Sequence, residues 1–212
     1  LLVSSFVFSQ NFFWYDVLLE VEGKNASTVA GLVDGFYSNH PKPANVNVEF
    51  SSIPLKGANE KATHIIGITS DSSESLADFR NSLKGPEWDL YISKMSNYVK
   101  SNRAAAGRDL ITNGSKTDYP IGQAWVFKVN NTKVVSLVQA FGKLIKSNTF
   151  DGGFLAMGQI VHGTDNGESV YIYGTYSDLN AAFNFGPQSG SQLAFPWTKN
   201  SQSAAPFSCR QP

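Results

Sequence analysis

Leu32-Val33-Asp34-Gly35-Phe36 returns as Leu137-Val138-Gln139-Ala140-Phe141, and Gly67-Ile68-Thr69-Ser70-Asp71 returns as Gly174-Thr175-Tyr176-Ser177-Asp178. The offsets, 137 − 32 = 105 and 174 − 67 = 107, are nearly equal and keep the same order. Two motifs recurring together at one distance are the mark of an internal duplication. A chain of 212 residues then divides into two similar units, each long enough to bury a small core.

Working outward from the motifs, Phe12 to Val21 reads as a strand with Phe13, Tyr15, Val17, Leu19 and Val21 on one face and Trp14, Asp16, Leu18 and Glu20 on the other. A helix follows with Val29, Leu32, Val33 and Phe36 at helical spacing, ended by Pro41 to Pro43. Val46 to Ile53 and Thr63 to Thr69 read as strands, and a helix starts near Asp71 to Ser73. Pro86 is suited to the first position of a further helix, whose stripe of Trp88, Tyr91, Ile92, Met95 and Val99 reads as packing. The second unit repeats the order: strand Gln123 to Val129, a helix striped by Val134, Leu137, Val138, Phe141 and Ile145, strands Phe154 to Val161 and Ser169 to Tyr176, and a short helix from Ser177 or Asp178. Arg103 to Pro120 reads as a bridge with a short strand over Asp109 to Thr112. The expected organisation is an N-terminal segment 1–11, a first repeat 12–112, a linker 113–120, a second repeat 121–198 and a tail 199–212.

Each unit therefore reads strand, helix, strand, strand, helix and a closing strand. That order resembles the ferredoxin-like βαββαβ unit, and two in tandem resemble the dimeric α+β barrel superfamily. The resemblance implies an α+β fold of two ferredoxin-like units with antiparallel sheets, facing each other as an intrachain barrel. It also brings in cofactor-independent monooxygenases and small isomerases, although one fold hosts many chemistries.

Composition excludes several classes. Lys+Arg and Asp+Glu both number 17, so no net field steers nucleic acid or an anionic membrane. The single cysteine, Cys209, forbids an internal disulfide. The three histidines are scattered and no carboxylate-rich loop has metal-binding length, so no metal site is expected. No glycine-rich phosphate loop follows a strand and no Gly-x-Ser-x-Gly elbow occurs, so nothing calls for a cofactor. Leu1 to Ser9 is apolar and uncharged, too short for a membrane-spanning helix. It reads as a secretory signal remnant or as a strand, and with a surface rich in Ser, Asn and Gly it suggests a secreted or periplasmic protein.

In a barrel of this kind the chemistry belongs on the sheet faces turned away from the helices. Aligning the two Gly-x-x-Ser-Asp segments sets His64 against Tyr171 and Ile66 against Tyr173. His64 is then a candidate base and Tyr171 a candidate oxyanion donor. Trp14, Trp125 and Tyr173 are candidates to line a ligand pocket. Three functions follow. One is an extracytoplasmic protein holding a small apolar or aromatic ligand between the repeats; another is a cofactor-independent monooxygenase-like or isomerase-like enzyme. The third is a self-assembling subunit of a surface appendage or virion.

Overall fold

Alternation along the first strand decides how the first unit folds. In the computed structural model, which describes residues 12–114, 119–147, 153–164 and 166–185 and the backbone of 205–210, β1 spans Phe13–Val21. Tyr15, Val17, Leu19 and Val21 pack beneath helices in one core. Trp14, Asp16 and Leu18 lie on the opposite face, as the period of two requires. The N-terminal segment 1–11 lies outside the described residues.

The other elements follow in chain order: α1 (Ala26–Tyr37), β2 (Val46–Ser52), β3 (His64–Ser70), α2 (Ser73–Ser82), α3 (Pro86–Met95), β4 (Val99–Gly114), β5 (Ile121–Phe127), α4 (Asn131–Ser147), β6 (Phe154–His162), β7 (Val170–Tyr176), α5 (Leu179–Asn184) and β8 (Ala205–Arg210). Local signals set the helices. Val29, Val33 and Tyr37 bury one face of α1, the Ser72 hydroxyl accepts from Ser75 N at the start of α2, and Pro86 opens α3. Each side chain buried as fully as Val29, Ile68 or Phe79 contributes about 1.5–3 kcal/mol relative to leaving it in water.

The strands form one antiparallel sheet in the order β2-β3-β1-β4-β6-β7-β5-β8. Either half alone has the ferredoxin-like order, with the first strand of the unit between its third and fourth. The fold is thus the expected α+β arrangement. The two sheets are nevertheless not separate layers that merely face each other, because they join edge to edge through β4 and β6 and the sheet curls until β2 and β8 approach.

Two segments depart from expectation. The bridge at Arg103 to Pro120 is mostly strand: β4 pairs with β1 through Val99 to Arg108 and with β6 through Ala106 to Gly114. Ala104-Ala105-Ala106-Gly107 carries little intrinsic strand signal, and its small side chains are needed because the Trp14 ring lies over Gly107. The tail expected at 199–212 supplies β8, which pairs with β5 and completes the second unit.

Glycine is also required at 158. A Cβ there would collide with the ring and hydroxyl of Tyr171 and with the Arg108 carbonyl. Gly158→Ala is expected to cost about 1–3 kcal/mol and to lower the melting temperature by several degrees. Gly35→Ala, in α1 with nothing within 4 Å of the new methyl, should leave stability unchanged or raise it by up to about 1 kcal/mol. Thermal melts of the two variants that failed to separate in this order would refute the packing described.

Candidate functional site

The sheet divides the sequence-predicted residues between its faces. Ile66 and Ile68 of β3 lie in the core beneath α1, α2 and α3, and His64, two residues earlier, shares their face. Its ring stacks on Phe50 at 5.2 Å, Nδ1 meets the Thr63 hydroxyl at 2.9 Å, and burial holds its pKa below 6.5. Tyr171 is on the opposite face. Its partner across β5 and β7 is Val126, whereas Ile172 pairs with Trp125 and joins the core beneath α4. The structure therefore does not bring His64 and Tyr171 together.

The reason is a slip of one residue. Val17 pairs with Ile66 in the first unit as Trp125 pairs with Ile172 in the second, so Ile66 corresponds to Ile172, at an offset of 172 − 66 = 106. The helix caps agree, Ser72 for α2 and Asp178 for α5, again at 178 − 72 = 106. Matching Gly67 with Gly174 imposes 107 and exchanges the faces of every residue compared.

Trp125 lies on the helix side, 5.5 Å from the Phe185 ring, and does not line the inner face. Trp14, Tyr171 and Tyr173 do share that face. Trp14 Nε1 donates to the Tyr171 hydroxyl at 2.7 Å, and that hydroxyl donates in turn to Asp109 Oδ1. Tyr173 covers Gly122 and touches Phe154. Here the inner face is filled by aromatic packing.

A cavity of about 300 Å³ instead lies on the helix side of the first unit, between β1, β4 and α3. Its walls carry Tyr15, Tyr37, Trp88, Tyr91, Met95 and Arg80. The Trp88 and Tyr91 rings are 5.4 Å apart, and Phe36 stacks on Tyr91 at 4.5 Å. Arg80 lies 5.6 Å from the centre of the Tyr15 ring and makes no ion pair among the described residues. Lys100, at the rim, shares Glu22 with Lys24, and the two lysines hold the Glu22 carboxyl at about 2.

The chemistry of the walls is set by burial. Burial pushes the Tyr37 phenol up to about 12 and Tyr91 further still, so both remain protonated donors at ordinary pH. Tyr91 is 6% exposed, and its buried hydroxyl interacts with that of Tyr37. Sequence reading treated the α3 stripe as core packing.

No family model matches the chain, and no curated relative does. Among solved structures it is similar to a candidate monooxygenase from Lactobacillus acidophilus NCFM, with a TM-score of 0.62 and 9% identity over 94% of this chain and 93% of that one. A candidate monooxygenase from Fusobacterium nucleatum subsp. nucleatum ATCC 25586 gives 0.60 and 11% over 96% and 92%. An anthrone oxidase-like protein gives 0.58 and 10% over 97% and 92%. These likenesses show a shared α+β fold and nothing finer.

The lowered pKa of His64 fixes the sign of one pH effect. The native state binds fewer protons at this site than the unfolded chain, so the site's contribution is present above about pH 6.5 and is lost as pH falls below it. Melting temperature should drop between pH 7 and pH 5 more steeply in the wild type than in His64→Phe, which keeps a ring against Phe50. Equal slopes would contradict this assignment.

Proposed function

We propose that the chain is a cofactor-independent oxygenase-like enzyme acting on a planar aromatic molecule in the cavity beneath α3. One observation carries the reading: an aromatic-walled cavity lined also by the Arg80 guanidinium, which makes no ion pair among the described residues. Rings of Trp88, Tyr91 and Tyr15 offer stacking surface, and Arg80 offers charge to an enolate or phenolate oxygen. Support for oxygen chemistry comes from the fold shared with proteins named for monooxygenation and anthrone oxidation.

The reaction class that fits replaces an activated ring CH2 by C=O. Dioxygen supplies one oxygen atom to the product and leaves the other as water, so electrons balance without an external reductant. Tyr37 and Tyr91 are too basic as phenolates to be held ionised at neutral pH, and Arg80 is not a base. The substrate must therefore be acidic enough to ionise with Arg80 stabilising the anion. The same shortage of a base favours a second reading, a protein that only holds such a ligand.

Anthrone and hydroxylated polycyclic aromatics are the probes. Binding should quench Trp88 fluorescence, and oxygen uptake should match substrate one to one with no metal or flavin added. Arg80→Met should raise KM about tenfold, the loss of one charge-assisted contact. Quenching without oxygen uptake would support the binding protein, and quenching unaffected by Trp88→Phe would place the ligand elsewhere.

A further inference from the structure

The inner face carries a second constellation that the cavity does not use. Trp14, Tyr171 and Asp109 come from β1, β7 and β4 and meet across the join between the units. Trp14 and Tyr171 rings stand 5.4 Å apart, edge to face, with the indole N–H donating to the phenol oxygen at 2.7 Å. The phenol O–H points at Asp109 Oδ1. Tyr171 is 7% and Asp109 6% exposed, so the acceptor is dry and fixed. Gly107 and Gly158 provide the space, since a side chain at either would collide with the Trp14 or the Tyr171 ring.

This is an arrangement for moving an electron and a proton together. A phenol that loses an electron becomes a strong acid, and oxidation is easy only where a base already holds the proton. Exposed tyrosines give the proton to water; Tyr171 is cut off from water and has a carboxylate in hydrogen-bond contact instead. Burial together with the Asp109 and Asp16 carboxylates raises its pKa, so the resting group is the neutral phenol. Trp14 extends the path, because Tyr15, its neighbour in β1, lines the cavity on the other face.

We infer that Trp14, Tyr171 and Asp109 form a redox relay that accepts an oxidising equivalent from a one-electron oxidant, such as an aryloxyl or peroxyl radical arising on the cavity side. The oxidant gains one electron through Trp14. The Tyr171 O–H bond breaks, its proton passes to Asp109 Oδ1, and a neutral phenoxyl radical remains, hydrogen-bonded by the indole. A thiol or ascorbate reductant restores the electron, and Asp109 returns the proton. The relay protects the cavity from stray radicals whatever molecule the cavity binds.

Flash oxidation of the full chain with tris(bipyridine)ruthenium and persulfate, followed by freezing and electron paramagnetic resonance, tests the relay. The wild type should yield a neutral tyrosyl signal that falls about tenfold in Tyr171→Phe. Asp109→Asn keeps an acceptor oxygen but takes no proton, so it should slow radical formation about tenfold, as Trp14→Phe should slow transfer into the site. An undiminished signal in Tyr171→Phe overturns the inference. If that variant does not fold, a wild-type rate equal in water and deuterium oxide, or an Asp109→Asn rate equal to wild type, overturns it.

Discussion

Everything in the molecule hangs on β4 being shared. Its first part completes the first unit against β1 and its last part opens the second against β6, with bulges between Ala106 and Gly107 and between Asp109 and Ile111. The hand-over turns two four-stranded sheets into one and brings β1 near β7. Backbone hydrogen bonds supply the continuity, and small residues supply the clearance: with larger side chains at 107 or 158, neither Trp14 nor Tyr171 could lie across the join.

The order of elements was legible because it rests on periodicity, which local sequence carries. Alternation in Phe13–Val21 separated the two faces correctly, and the Ser72 and Asp178 caps stand where polar residues precede apolar periods. The site was not legible, for a geometric reason. A strand changes face with every residue, so an alignment off by one places His64 with Tyr171 although one packs under helices and the other turns away. Motif identity could not correct this; only the register of Val17 with Ile66 and of Trp125 with Ile172 does.

The α3 cavity escaped sequence reading because a stripe of aromatics looks the same whether it closes a core or walls a space. Only the packed structure shows that Trp88 and Tyr91 border an open space together with Tyr15 and Val17 of β1. The shared scaffold fixes the sheet, and α3 walls the cavity of the first unit.

Strand β8 has a consequence for how the chain acquires its structure. Its residues pair with β5 although they follow it by 79 to 88 positions (205 − 126 and 210 − 122). During synthesis β5 can dock on β7 as soon as residue 176 has emerged, but its other edge waits for residue 210. Until then a row of unpaired backbone donors and acceptors, flanked by Trp125 and Phe127, is open to any strand that reaches it. The first unit passes through a similar interval, since β1 can dock on β3 once residue 70 has emerged and waits for β4 until residue 108, so each half of the chain in turn presents an open strand edge to neighbouring copies.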